Sequence, residues 1–279
     1  MKIVTFSTSD NRTCPGVLLD ETVIDLCAQG FSNVLDLIQS GRTPNVHGNG
    51  SAASLPLTRV KLLAPLPNPR RIFCVGLNYR DHAIESKMEI PEVPTVFLKL
   101  TSSVVGPGTP IVLPKTSKQP DYEAELAVVI GKGGYRISED AWREHVFGYT
   151  ILNDVSARDV QLATSQWLLG KSFPTFCPIG PAIVTADEVP DPHDLEIRLT
   201  IDGEELQHSN TRHLIFRVPR LIEYISSITP LEPGDIISTG TPQGVGLGRR
   251  PQRWLRPGET VTVEIEGIGT LVNPIQDEL

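Results

Sequence analysis

Along much of this chain apolar and polar residues alternate in short runs, the period of two expected of half-buried β-strands. The strand candidates are residues 2–6, 71–75, 95–100, 123–130, 147–153, 195–201, 235–239 and 260–265, each rich in β-branched or aromatic side chains. Residues 16–26 (GVLLDETVIDL) read as a hairpin with Asp20, Glu21 and Thr22 at its bend. Helical spacing is rarer. It occurs in residues 31–39, where Phe31, Val34, Leu35 and Ile38 share a face, and in residues 78–86, 139–144, 156–163 and 218–227. Residues 43–54 (TPNVHGNGSAAS) form a polar, Gly- and Ser-rich boundary. The chain therefore divides into a small N-terminal domain, 1–65, and a larger domain, 66–279. Many strands and few short helices predict an α+β fold, mostly β, and argue against a doubly wound parallel sheet.

Composition narrows the partners. With 39% hydrophobic and 21% charged residues the chain can bury a core. A formal net charge of −8 repels phosphate backbones, so no nucleic-acid partner is expected. No run approaches the roughly 18 apolar residues of a membrane span, and the N-terminus turns polar after six residues. A cytoplasmic protein with no membrane partner is expected. Cys14, Cys27, Cys74 and Cys177 are scattered without a C-x-x-C pattern, and all four are expected as reduced thiols.

The chemistry concentrates in a few segments. In DYEAELAVVIG, residues 121–131, a strand would project Glu123 and Glu125 from one face, with Tyr122, Ala124, Leu126 and Val128 on the other. Such a pair is either an edge strand showing charge to water or one half of a cation site. Asp154, after the apolar run 147–153, is either a helix N-cap or the carboxylate that completes an oxygen site. Oxygen-only ligands select a hard ion, Mg²⁺ or Mn²⁺, with Ca²⁺ as a non-catalytic substitute. His82 and Glu85 lie three apart, as a surface ion pair or as an oriented base. Lys171 sits in an apolar setting where an ammonium wants an anionic partner, and the Gly-rich TGTPQGVG, residues 239–246, lets backbone approach a ligand. Arg249, Arg250, Arg253 and Arg256 form either a solvated loop or a guanidinium that meets a substrate carboxylate or a neighbouring subunit.

In order along the chain, GLNYRDHAIE, FLK, DYEAELAVVIG, NDVSARDVQ, GKSF, ISTGTPQGVG and IEGIGTLVNPI resemble the fumarylacetoacetate hydrolase family, in particular bacterial-type members with a small N-terminal domain, related to acylpyruvases and hydroxyheptadienedioate isomerases. The resemblance implies mixed β-sheets rolled around a metal site, and a homodimer. It implies metal binding by Glu123, Glu125 and Asp154, a water-activating dyad of His82 and Glu85, and substrate contacts from Gln161, Lys171 and Thr241. Gly240, in the same Gly-rich loop, is counted with the substrate-binding residues. On this basis the expected activity is metal-dependent hydrolysis of a C–C bond in a small 2,4-dioxo acid of the acylpyruvate or fumarylpyruvate type. His82 would activate water and Lys171 would stabilise the oxyanion. Oxaloacetate decarboxylation and isomerisation of 2-hydroxyhepta-2,4-diene-1,7-dioate are the alternatives within the same site. A non-catalytic protein that binds an oxo-acid or a metal is the alternative of another class.

Overall fold

The computed structural model describes residues 1–46, 54–85 and 89–279, so most of the predicted boundary at 43–54 lies outside the described residues. The architecture is mostly β, as the strand periodicity predicts. Strands are numbered in chain order. The largest sheet runs β4 (Ser54–Pro56), β3 (Thr22–Asp25), β2 (Thr13–Leu19), β1 (Lys2–Ser7), β14 (Cys177–Thr185), β12 (Val146–Asn153), β11 (Ala124–Ile130), β17 (Ile236–Ser238), β6 (Ile72–Gly76), β7 (Thr95–Lys99). Two short strands join it at the side, β5 (Lys61–Leu63) on β1 and β8 (Val104–Val105) on β14. A second sheet runs β16 (Glu204–Asn210), β15 (Glu196–Ile201), β18 (Thr260–Ile265), β19 (Gly269–Asp277), β9 (Ile111–Leu113). A two-stranded ribbon, β10 (Pro120–Asp121) with β13 (Ser156–Ala157), completes the β structure among the described residues.

The sheets differ in how they read. In β15 and β18 every second residue is buried, the pattern of a strand with one wet face. All of β11 is buried, so its charged residue Glu125 lies inside the protein. The main core fills the space between the sheets with Leu126, Val128, Ile151, Ile197, Leu199 and Val263, and Leu221 and Ile222 of helix α5 (Val218–Ile228) cover one side. A second core packs Leu37 and Ile38 of α1 (Val34–Ser40) against Ile3, Val129 and Ile183. The N-terminal strands are continuous with the large sheet, because Lys2 and Ile3 of β1 pair with Val184 and Ile183 of β14. No helix among the described residues is long and apolar enough to cross a membrane.

Three differences from the expectations have physical causes. Strand β14, central in the large sheet, is not legible in sequence. Pro178, Gly180 and Pro181 interrupt its apolar run, and its pairing with β12 absorbs them through a register shift between Tyr149 and Ile151. The helix expected at 156–163 shrinks to one turn, α3 (Arg158–Gln161), because Ser156 and Ala157 are taken by the ribbon with Asp121 and Pro120. The four thiols are not all free: Cys14 and Cys27 form a disulfide with Cα atoms 5.8 Å apart, while Cys74 and Cys177 are free and buried. The β2–β3 hairpin pairs Gly16 with Asp25, which brings residues two places further out, 14 and 27, face to face.

Candidate active site

The carboxylate cluster follows from one antiparallel pairing. Ala124 at the start of β11 faces Asn153 at the end of β12, so Glu123, Glu125 and Asp154 meet where the strands leave the sheet. The Asp154 amide donates to the Glu123 carbonyl (2.9 Å), and the Glu123 amide donates to the Asn153 side chain (3.0 Å). One oxygen from each of Glu123, Glu125 and Asp154 falls within 4.8 Å of the others, and all three residues are buried.

Buried carboxylates need counter-charge, and cations surround them. Lys171 Nζ lies 2.8 Å from Glu123 Oε2 and 2.7 Å from Asp154 Oδ2. Lys99 Nζ, wholly buried, lies 2.6 Å from Asp154 Oδ1. Arg158 reaches Glu123 Oε1 (2.6 Å) and Asp121 Oδ2 (2.8 Å). Burial works against ionisation of Glu123, yet Lys171 and Arg158 outweigh it and hold the carboxyl down at about 2. Burial likewise disfavours the charged Lys171, but Asp154 and Glu123 raise its affinity for the proton above the usual lysine value. Glu125 differs. Burial, then Asp154 and Glu123, push its carboxyl well above the normal range. Among the described residues no cation touches it; Oε2 accepts from the Ser238 hydroxyl (2.5 Å) and the Gly240 amide (2.9 Å). The four carboxylates of Asp121, Glu123, Glu125 and Asp154 thus face three cations. An all-oxygen donor set with one carboxylate uncompensated fits a hard divalent cation.

The loop after β17 holds the carboxylates through backbone amides. Gly240 donates to Glu125, Gly244 donates to both oxygens of Glu85 (3.1 Å each), and Gly246 donates to Asp121 Oδ1 (2.7 Å). Gly240 and Gly244 have φ of 98° and 99°, a region that favours glycine. A Cβ at Gly246 would run into the Arg253 carbonyl, so this close approach also needs glycine.

These groups line a cavity of about 350 Å³. His82 and Glu85, on α2 (Arg80–Glu85), face it and are paired, Nδ1 to Oε2 3.3 Å. Lys171 and Gln161 come from the one-turn helices α4 (Leu168–Lys171) and α3, and Gln161 Oε1 accepts from Arg158 (3.0 Å). Thr241 lines the opposite loop and accepts from Gln207 (2.9 Å). Phe97 and Trp167 meet edge to face and form an apolar wall. Glu123 and Glu125 reach the cavity, whereas Asp154 stands behind them, between Lys99 and Lys171. Gly240 is absent from the lining; its amide is spent on Glu125. Sequence reasoning assigned no role to Lys99 or Arg158. The available signal was a lone cation in the apolar strand TVFLK and an arginine two residues beyond the ribbon Ser156. Arg250 and Gln252 of the arginine-rich segment also line the cavity.

A mixed-sheet fold closed around buried carboxylates, with a His–Glu pair lining the same small cavity, defines an enzyme-type pocket. Residues 71–276 match the family profile described as fumarylacetoacetate (FAA) hydrolase, C-terminal, and the chain belongs to this family. It is 42% identical over 288 residues to the mitochondrial oxaloacetate tautomerase fahd2 of Xenopus laevis, covering 99% of this chain and 90% of that protein. The fumarylacetoacetate hydrolase of Exiguobacterium antarcticum superposes with a TM-score of 0.90 at 38% identity, over 100% of both chains. The 2-hydroxyhepta-2,4-diene-1,7-dioate isomerase of Mycobacterium marinum gives 0.82 at 37% identity, over 100% of this chain and 99% of that one.

Proposed function

We propose that this protein catalyses proton transfer between carbon and oxygen in a small 2-oxo diacid, as an oxaloacetate keto–enol tautomerase. The observation that carries the reading is a single oriented base, His82 on Glu85, lining the same cavity as the buried carboxylates. Tautomerisation needs only a base near the carbon and positive charge near the oxygen that becomes an enolate. The whole-length similarity to a tautomerase supports it.

Glu123, Glu125 and Asp154 would hold Mg²⁺ or Mn²⁺. When bound, such an ion supplies Lewis-acid stabilisation of negative charge on the 2-oxo oxygen. His82 Nδ1–H donates to Glu85, which leaves Nε2 as the basic nitrogen. Nε2 removes a proton from C3 of the substrate; the electron pair moves into a C2–C3 double bond and the enolate oxygen takes a proton back. Lys171 and Arg158 offset the carboxylate charge of Glu123 at the floor of the cavity. Gln161 and Thr241 orient the substrate from opposite sides.

Hydrolysis of a 2,4-dioxo acid is the second reading, favoured by the apolar wall of Phe97, Leu162 and Trp167, which can receive an acyl group that oxaloacetate lacks. The dyad would then activate water. The test is turnover of the metal-stripped protein on oxaloacetate enol, acetylpyruvate, fumarylpyruvate and a hydroxy-dienoic diacid, with and without Mg²⁺ or Mn²⁺. Metal-dependent loss of enol absorbance without pyruvate release supports tautomerisation. Pyruvate released from the dioxo acids, with the enol untouched, overturns it in favour of hydrolysis.

A further inference from the structure

Five residues of one short segment, Val245, Leu247, Gly248, Arg250 and Gln252, form the rim of the cavity. This rim is held from both ends. Asp121 accepts from the amides of Gly246 (2.7 Å) and Leu247 (3.0 Å). Arg249 turns outward and bonds the carbonyls of Gly244 and Leu206. Arg253 is neutralised by Glu259 at 2.6 Å, and its amide donates to the Gly246 carbonyl. A loop tied in this way holds its backbone in a fixed geometry, so little backbone ordering cost remains when a ligand arrives.

Arg250 stands out among the charged groups of the cavity. Arg158 and Lys171 are each in contact with carboxylates, and His82 is paired with Glu85. Arg250 Nη1 donates only to carbonyls of its own loop, Leu247 (3.3 Å) and Arg249 (2.9 Å). Among the described residues it has no acidic partner, and it is exposed. Its guanidinium therefore keeps a full charge and spare donors, in the planar arrangement that matches a carboxylate. The amide of Gln252 beside it adds a further donor.

We infer that Arg250 is the specificity-determining residue of this site, receiving the distal carboxylate of a dicarboxylic 2-oxo acid while the carboxylate cluster and His82 engage the 2-oxo end. The inference rests on the proposed oxo-acid site and deepens it. It sorts the relevant substrates by charge: diacids are retained, and monoacids lacking the distal group lose this contact.

Calorimetric titration of the Mg²⁺-loaded full-length protein with oxaloacetate and with pyruvate, which lacks the distal carboxylate, tests it by binding alone. A charge-assisted pair predicts that oxaloacetate binds roughly ten- to a hundredfold more tightly than pyruvate. In Arg250→Ala this preference should collapse to within about twofold while pyruvate binding stays near the wild-type value, and Arg250→Lys should retain part of it. An unchanged preference in Arg250→Ala, equal weakening of both ligands, or no preference in the wild type overturns the assignment. If the preference and its loss are seen but oxaloacetate is not turned over, the tautomerase reading falls while Arg250 keeps its role.

Discussion

Lys99 Nζ lies 2.6 Å from Asp154 Oδ1, and neither side chain is reached by solvent. The ammonium also donates to the Val155 carbonyl (3.0 Å), and the other Asp154 oxygen is held by Lys171. Asp154 is thus fixed by two lysines from different parts of the chain, one on the edge strand β7 and one at the end of α4.

Removing one partner of such a pair leaves a buried charge without its counter-ion. Lys99→Met keeps the length of the side chain but not the charge, and it should lower unfolding free energy by about 3–5 kcal/mol. Urea denaturation of the metal-free protein checks this. A loss under about 1 kcal/mol would show that Lys171 alone satisfies Asp154.

The cluster should separate into holding and reacting residues. Glu123→Ala removes a carboxylate from the proposed cation site, and metal retention after dialysis, read by elemental analysis, should be abolished. His82→Ala leaves the carboxylates intact. It should retain metal and lose turnover by about 10²–10⁴-fold, the usual contribution of a general base. Full activity in His82→Ala would remove the base from the proposed mechanism.

How far all this was legible in the sequence depends on the kind of contact. Glu123 and Glu125 could be placed on one side of a strand because strand period is a local property. That both carboxylates are buried was not legible, since it requires β12, β17 and the cations of three separate segments. The glycines of TGTPQGVG suggested close approach to a ligand. The amides of Gly240, Gly244 and Gly246 are instead taken by Glu125, Glu85 and Asp121, because the direction of an amide is set by backbone torsion that composition does not reveal. The same limit applies to Cys14 and Cys27: spacing looked scattered until the hairpin folded the chain back on itself.

Gly248 offers a way to disturb the dyad without touching it. A Cβ there would stand 2.5 Å from Glu85 Cδ and 2.8 Å from Oε1. The backbone of Gly248 is not in the left-handed region, so Gly248→Ala imposes no torsional strain and the flexible Glu85 side chain has to move. Turnover should fall roughly tenfold or more as His82 loses its orienting partner, while thermal stability and metal content stay close to wild type. A normal kcat in this variant would mean that Glu85 does not need its present position.

Acid sensitivity should have one identifiable source away from the cavity. His193 packs against Trp142, with Asp191, Arg217 and Arg143 as its charged neighbours. Its Nε2 accepts from the Val218 amide at the start of α5 (3.2 Å), and Nδ1 lies 3.1 Å from Asp191 Oδ1. An acceptor Nε2 means a neutral ring in the folded protein. Burial lowers the imidazole below its usual 6.5, with Arg217 and Arg143 adding to that effect and Asp191 opposing it. The unfolded chain therefore takes up this proton first as pH falls. The stability contributed by the neutral ring is complete above about pH 6.5 and is lost as pH drops through the lowered folded value, at no more than about 1.4 kcal/mol per pH unit. His193→Gln can still accept from Val218 but does not titrate. Its melting temperature should fall less steeply than that of wild type between pH 6.5 and 5, with the other histidines common to both proteins. Parallel curves for the two proteins would show that His193 is protonated equally in the folded and unfolded states.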